Sequence, residues 1–493
     1  MLPPAHRAAH GVYYTPPLLG ARLIDLATHA GVDWVTARVL DPACGGGAFL
    51  APVARRILDA LGDCEPRILL QNVAQRLSGY EIDPFAAWLS QVALDAVLLP
   101  VTRACGRRLP SVVTVCDTLR SAPPDDSFDL VIGNPPYARV RLDAGERRRF
   151  ERSLFGHANL YALFTDVALR HTKPGGVVAY VTPTSFLAGE YSKKLRALLR
   201  RNAPPFSIDF VAARDGVFDG VLQETLLATY RRGAAPGRVT VHEISAVGET
   251  ALSLAAAGEV PLPRDPSSPW ILPRSQGQRT LAAALATMPH RLSDWGYTVS
   301  TGPLVWNRYK NQLAKRPARN RYPIVWAEAV TPDGRFVWRA EKRDHVPFCE
   351  IRPGDAWMMV RDACVLLQRT TSKEQQRRLI AAPLPAEFIA RHGGAVVVEN
   401  HLNMIRPTGT SPQVSHDVLA VFLNSAAADR AFRCVGGSVA VSAYELESLP
   451  LPPPSELAPL THLVSSSSRS DEIEAECNRL YAIDDPRSAN DAR

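Results

Sequence analysis

The run Phe128-Asp129-Leu130-Val131-Ile132-Gly133 is almost wholly apolar and stops at Asn134-Pro135-Pro136-Tyr137. A run of this kind reads as a strand buried in a parallel sheet. Two consecutive prolines, with fixed φ and no N–H, cannot continue it, and proline holds the residue before it in an extended conformation. Asn134 is therefore presented at the strand's carboxyl end. The Asn134 side-chain oxygen and the Pro135 carbonyl are two acceptors suited to the hydrogens of an amine. An exocyclic amine on a nucleobase is a poor nucleophile because its lone pair is delocalised into the ring. Two acceptors draw the nitrogen toward tetrahedral geometry and free that pair. Tyr137 offers a flat face for an extruded base. The same residues also suit an ordinary strand-ending turn, so their meaning depends on context.

Upstream, the segment from Arg38 to Leu50 contains Asp41-Pro42-Ala43-Cys44-Gly45-Gly46-Gly47 and reads as a strand, a glycine-rich turn and a helix start. Glycines let backbone approach a ligand closely, and the helix N-terminus offers free N–H groups to a carboxylate. The spacing is not the dinucleotide GxGxxG, because position 50 is Leu, which disfavours NAD. A second strand, Leu77 to Ile82, carries Glu81, placed to bind ribose hydroxyls. It lies 36 residues beyond Gly45, more than the roughly 20 of dinucleotide folds, because a long helix and loop are expected from Ala48 to Arg76. A third strand, Val112 to Cys116, ends at Asp117, an acceptor for an adenine amino group. Singly, each carboxylate also reads as a solvated strand-end charge. Together they alternate with helical patterns in βα order, at the strand ends where such sheets bind ligands.

This combination resembles the S-adenosylmethionine-dependent amino-methyltransferases, specifically the TaqI-like N6-adenine DNA methyltransferases of restriction-modification systems. Gly11-Val12-Tyr13-Tyr14-Thr15-Pro16-Pro17 with the helix after it resembles the family's cofactor-flanking motif. Asn159-Leu160-Tyr161 to Phe164, followed by Lys173-Pro174-Gly175-Gly176, resembles its fifth motif. The motif order is that of the γ class. The resemblance implies a Rossmann-like class I methyltransferase domain with a mostly parallel seven-stranded sheet, plus a C-terminal α+β target-recognition domain. It implies S-adenosyl-L-methionine as cofactor, bound by Thr15, Asp41, Ala43, Cys44, Gly45, Glu81, Ile82, Asp117, Thr118 and Phe164. It assigns Asn134, Pro135, Pro136 and Tyr137 to catalysis, with Tyr137 and Phe218 sandwiching the flipped adenine. Thr118 departs from the pattern, since some relatives carry an aromatic residue there.

The 493 residues suit two to four domains, and 46% hydrophobic with 21% charged residues is ordinary for a globular protein. Net charge is +7, which suits an acidic partner such as double-stranded DNA. Eight cysteines show no CxxC pair and no zinc spacing, so reduced thiols and no metal are expected. No apolar stretch approaches the roughly 20 residues of a membrane span, and a cytoplasmic location is expected.

The expected organisation is a catalytic domain over 1–240, a connecting segment with little regular structure over 241–290, a target-recognition domain over 291–455 and a tail over 456–493, partly disordered apart from a short helix near Ile473 to Tyr481. From Arg291 to Tyr322 there are seven Lys or Arg against one acid, interleaved with Trp295, Tyr297, Trp306, Tyr309 and Tyr322. This reads as a DNA-facing surface or, alternatively, as a solvated face over core aromatics. Arg308, Lys310, Lys315, Arg316, Arg369 and Lys373 are the candidate DNA contacts.

The first methyltransferase motif begins at residue 11, so no nuclease domain is expected ahead of it. Pro332-Asp333 reads as a turn rather than a nuclease centre. A separate restriction endonuclease is the expected companion, and the chain is expected to act as a monomer. Protein glutamine and RNA adenine methyltransferases share the tetrapeptide but usually lack a large basic C-terminal domain. A lapsed DNA-binding specificity module is the non-enzymatic alternative, against which the intact cofactor and catalytic motifs weigh.

Overall fold

The computed structural model describes residues 15–121, 125–211, 224–247, 251–342, 344–370, 377–436 and 440–483. The chain divides into two compact units, Met1–Arg279 and Thr280–Arg493.

Unit 1 is built on one sheet of nine strands: β1 Val39–Asp41, β2 Leu77–Glu81, β3 Val113–Val115, β4 Phe128–Gly133, β5 Thr172–Pro183, β6 Pro205–Val211, β7 Thr225–Arg231, β8 Arg238–Val247 and β9 Ala251–Pro261. Their spatial order is β9-β8-β6-β7-β5-β4-β1-β2-β3. Strands β3, β2, β1, β4 and β5 run parallel, and β7 enters antiparallel between β5 and β6. The expected seven mostly parallel strands are thus replaced by a nine-stranded mixed sheet. The two added strands, β8 and β9, occupy the segment expected to be irregular. Prolines 261, 263, 266 and 269 dominated that reading, yet Val239, Val241 and Ile244 are fully buried in β8 and pair it to β6. Pro261 closes the hairpin, paired with Arg238, and the other three prolines follow it.

Alternation along the strands sends side chains to two cores. Leu130 and Ile132 of β4 join one cluster with α1 (Pro17–His29), α2 (Leu50–Leu61), α3 (Pro66–Arg76) and α4 (Pro84–Val97). Val131 joins the other, with α7 (Leu160–His171) and α8 (Lys193–Asn202), numbered after the short helices α5 (Leu99–Cys105) and α6 (Ala144–Arg149). Each fully buried aliphatic side chain contributes about 1.5–3 kcal/mol, and this two-sided burial demands near-continuous apolar strands. Helix starts are marked by proline in the first turn of α1, α3, α4 and α5, where a missing N–H costs nothing. The long helix and loop expected over 48–76 are two helices, because Gly62 (φ +60°) ends α2 and Pro66 opens α3.

Helix α1 is pinned to the sheet by one buried carboxylate. Asp209 on β6 accepts from Arg22 Nε at 2.7 Å and lies 3.0 Å from His242 Nδ1 on β8, with its own side chain wholly buried.

Unit 2 holds an antiparallel four-stranded sheet, in the order Tyr297–Thr301, Leu402–Pro407, Cys364–Gln368, Ala381–Leu384, and a five-stranded sheet of shorter strands. Its helices include His416–Leu423, Ala426–Val435, Ala458–Ser465 and Ser470–Leu480. The last of these is the short helix expected near Ile473 to Tyr481, and Ala458–Ser465 adds a second helix to a tail expected to be partly disordered. Leu457, Leu460, Cys477, Leu480 and Tyr481 are buried, and the Tyr481 hydroxyl donates to the Pro450 carbonyl at 3.1 Å. The described part of the tail is therefore core.

Replacing Asp209 by Ala leaves the Arg22 guanidinium, only 13% exposed, without its counter-charge. Removing one partner of such a pair is expected to lower unfolding free energy by about 3 kcal/mol, read as a drop in the urea midpoint; an unchanged midpoint refutes the anchoring role.

Candidate active site

The acids and the amide singled out in the sequence gather at the carboxyl ends of adjacent strands. Asp41 ends β1 opposite Gly79 of β2, Glu81 ends β2 opposite Val115 of β3, and Asn134 follows Gly133 of β4, which pairs with Tyr180 of β5.

The glycine turn is held by Glu81. One carboxylate oxygen accepts the Gly45 N–H at 2.8 Å; the other accepts the N–H groups of Ile82 at 2.9 Å and Asp83 at 3.0 Å. Gly45 and Gly47 take left-handed conformations (φ +52° and +87°), which favour glycine. A Cβ on Gly47 would sit 2.9 Å from Ser90 Oγ. Cys44 is buried, and its N–H donates to the Tyr80 carbonyl at 3.0 Å. Burial pushes its thiol pKa up, with Asp41 adding to the shift. Ala43 donates its N–H to Asp41 at 3.1 Å. Helix α2 has no side-chain cap; the Ala51 N–H donates to the Gly47 carbonyl at 3.3 Å and Pro52 has none, which leaves the Leu50 N–H of the first turn for an anion.

Asp41 is 1% exposed, and its Oδ2 makes no hydrogen bond among the described residues. Burial, opposed by the Ala43 bond and reinforced by the Glu81 charge, raises its pKa to about 8. A side chain at Gly133 would come within 2.8 Å of Asp41 Oδ1, so β4 packs directly against this acid. Asp117 accepts from the Leu119 N–H at 3.0 Å and lies 3.5 Å from Arg120. Thr118 is buried, donating its hydroxyl to the Pro42 carbonyl at 2.6 Å. It braces the turn after β1. Phe164 is buried on α7, which Asn159 caps by accepting the Tyr161 N–H.

Asn134 is fixed through both ends of its amide. Its Nδ2 donates to Thr15 Oγ1 at 3.1 Å, and its Oδ1 accepts from the Tyr137 hydroxyl at 2.5 Å. An amide oxygen has two lone pairs, so one acceptor position on Oδ1 remains beyond Tyr137. Tyr137 is 8% exposed, its hydroxyl also lying 3.3 Å from the Val181 carbonyl and its ring meeting Tyr161 edge-on at 6.4 Å. Tyr137 therefore orients Asn134, a role sequence spacing did not suggest. Sequence reading also passed over an apolar rim. Ile82, Phe85 and Trp88 are 68%, 66% and 58% exposed beside the Glu81 turn, a signal visible only once burial is known. Phe218 lies outside the described residues.

In unit 2, Arg308, Lys310, Lys315 and Arg316 are exposed, with Lys310 Nζ 5.4 Å from the Trp306 ring centre. Trp295 and Tyr297 are core residues, 0% and 1% exposed. Arg321 pairs with Glu350 at 3.1 Å, and Arg369 donates to the Asn400 carbonyl at 3.1 Å. Arg377 is bound to the carbonyls of Asn424 and Pro332. Lys373 lies outside the described residues. Pro332-Asp333 forms a tight turn closed by Gly334 N–H on the Thr331 carbonyl at 2.9 Å.

A mixed sheet whose parallel strands carry a glycine turn after β1 and acids ending β1 and β2 defines a Rossmann-like α/β fold. Residues 117–218 match the Eco57I restriction-modification methylase family. The chain is similar to the Type II methyltransferase M.BsuBI of Bacillus subtilis, 23% identical over 452 residues, covering 90% of this chain and 87% of that one. It is also similar to M.PstI of Providencia stuartii, 26% identical over 357 residues and 70% of each chain. Among solved structures, its fold resembles that of the Type IIL restriction-modification enzyme MmeI in complex with DNA, with a TM-score of 0.50, 13% identity, and coverage of 95% of this chain and 73% of that one.

Folded Asp41 holds its proton up to about pH 8, whereas an unfolded Asp releases it near about 3.9. The folded state thus binds more protons across that window, and this group's contribution to stability falls as pH rises from about 4 to about 8. Asp41→Asn, neutral throughout, is expected to gain on the wild type across this window and to level off above it. Urea midpoints of the cofactor-free protein check this; parallel curves for the two proteins refute it.

Proposed function

We propose that this chain is the modification enzyme of a restriction-modification system, a TaqI-like γ-class DNA methyltransferase acting on N6 of an adenine flipped out of double-stranded DNA. The observation that carries the reading is the doubly fixed Asn134 amide at the end of β4. The similarity to Type II methyltransferases supports the DNA substrate.

The residues at the strand ends suit S-adenosyl-L-methionine as a donor set. Asp41 has a buried oxygen lacking a hydrogen-bond donor, which fits an ammonium or hydroxyl group. The uncapped start of α2 fits a carboxylate. Glu81 uses three of about four acceptor positions on the backbone, leaving one for a ribose hydroxyl. Asp117 fits the adenine amine, and the exposed Ile82 fits the adenine face. Thr15, Ala43, Cys44, Gly45, Thr118 and Phe164 shape the remaining walls. The cofactor, when bound, supplies an electrophilic methyl group on a sulfonium.

Asn134 Oδ1 and the Pro135 carbonyl accept the hydrogens of the target amine and raise its nucleophilicity. Tyr137 keeps the Asn134 oxygen turned toward that amine, and Thr15 keeps the amide from rotating. Pro135 and Pro136 hold the backbone rigid, so little entropy is lost when the amine docks. Tyr137 and Phe218 flank the extruded ring. The nitrogen attacks in line and forms no covalent bond to the chain; catalysis comes from positioning and desolvation. Unit 2 supplies target recognition, with Arg308, Lys310, Lys315, Arg316, Arg369 and Lys373 contacting DNA. The enzyme acts as a monomer in the cytoplasm beside a separate restriction endonuclease.

Sequencing plasmid DNA from cells expressing the wild type, by a method that detects N6-methyladenine, is expected to show one short recurring methylated motif. Asn134→Ala should abolish it while leaving cofactor affinity within about threefold. Unmodified DNA with intact cofactor binding points instead to a protein or RNA amine, and absent cofactor binding to a lapsed specificity module.

A further inference from the structure

Two basic stretches far apart in sequence meet in unit 2 through a third segment. The Asn400 N–H donates to the Leu304 carbonyl at 3.0 Å, four residues before Arg308, and its carbonyl accepts from Arg369 at 3.1 Å. Asn400 belongs to the turn Glu399-Asn400-His401-Leu402, closed by the Leu402 N–H on the Glu399 carbonyl at 3.1 Å. This turn joins strand Val396–Val398 of the five-stranded sheet to strand Leu402–Pro407 of the four-stranded one. It is tied down on several sides. Glu399 N–H donates to Val325 at 3.0 Å, and His401 accepts at its carbonyl from Arg369 N–H at 2.8 Å. Gly302 passes so close that a Cβ there would lie 2.2 Å from the Glu399 carbonyl oxygen.

The Glu399 side chain is 1% exposed, and both its oxygens serve one residue. Oε2 accepts the His401 backbone N–H at 2.9 Å, and Oε1 lies 2.6 Å from His401 Nδ1. The His401 ring is 56% exposed. A buried carboxylate thus fixes where the residue sits and how its ring turns. With Nδ1–H donated inward, Nε2 is left as an acceptor for an outside partner. A ring oriented by a buried carboxylate supplies direction rather than attraction to phosphate. That differs from Lys310, Lys315 and Arg316, whose exposed charges suit phosphates.

We propose that His401 is a base-reading side chain, its Nε2 accepting from an amino group on a base edge in the major groove of duplex DNA, such as adenine N6 or cytosine N4. Arg308, Lys310 and Arg369, brought alongside by Asn400, hold the flanking phosphates. This inference rests on the reading of the chain as a DNA methyltransferase.

The test compares plasmid methylation patterns made by the wild type, His401→Ala and Glu399→Gln, together with salt titrations of binding to a duplex carrying the mapped motif. His401→Ala, a change at an exposed ring, is expected to relax one position of the motif, lowering discrimination there about tenfold or more. The slope of log affinity against log salt should stay unchanged, because no phosphate contact is lost. Glu399→Gln, which keeps an acceptor but removes the charge, should relax the same position to a smaller extent. An unaltered motif with His401→Ala overturns the proposal, as does a salt slope smaller by about one unit with the motif intact, which marks a phosphate contact. A wild type that methylates no DNA removes the functional reading and this inference together, whereas normal wild-type methylation with an indifferent His401 removes the inference alone.

Discussion

The site depends on the grip of Glu81 on three backbone N–H groups, those of Gly45, Ile82 and Asp83. Bonds from amides to a carboxylate are about twice as strong as neutral ones, and here they join two loops that begin on neighbouring strands. The glycine turn after β1 and the entry to α4 after β2 are thereby held at a common height. Further bonds extend the stitching sideways. Thr118 reaches under the turn to Pro42, Cys44 reaches Tyr80, and Asn134 reaches Thr15 just ahead of α1. Beneath them the strands are about 4.8 Å apart, so register alone brings Asp41, Glu81 and Asn134 together. The loops need only be kept from wandering.

The parts of the site legible in the sequence are those written as local punctuation at strand ends. The glycine turn, the acid closing β2 and the Asn-Pro-Pro-Tyr stop each occupy a handful of consecutive residues whose backbone demands are nearly independent of the rest of the chain. The sheet's extent was less legible. Strands β8 and β9 lie just ahead of a proline-rich stretch, and composition averaged over 241–290 hides the burial of Val241 in one core and Ile244 in the other. In the tail the helix ending at Leu480 was legible, whereas Ala458–Ser465 was not, because serines run from its last residue into the turn after it.

Charge is where sequence and structure diverge most. A count of cations from 291 to 322 treats all of them as surface, yet Arg291 donates to the Met288 and His290 carbonyls and Arg321 is paired with Glu350. Two of the five interleaved aromatics likewise belong to the interior, Trp295 donating its ring N–H to the Pro452 carbonyl at 3.0 Å. What survives on the surface is a smaller set, Arg308, Lys310, Lys315, Arg316 and Arg319, linked to Arg369 through the turn at Asn400. His401 carried no sequence signal, because its significance comes from a carboxylate two residues away being buried, and that is decided by Gly302 and Val325 packing over it.

Asp41 and Asn134 end adjacent strands and meet opposite demands. Asn134 is neutral, with its amide engaged at both ends, so its burial costs little and its orientation is settled before any substrate arrives. Asp41 is buried with one oxygen lacking a donor, an arrangement that penalises the ionised form and accounts for a pKa near 8. A donor delivered by a ligand would relieve that penalty. The fold thus carries an unsatisfied acid on β1 and a satisfied amide on β4, with Gly133 lying against the acid. The unsatisfied group favours occupancy of its side of the site by something bearing N–H or O–H groups, and the satisfied one preserves a fixed acceptor for what comes to the other. A two-substrate transfer needs that asymmetry, with one partner drawn in by binding energy and the other met by a surface already in place.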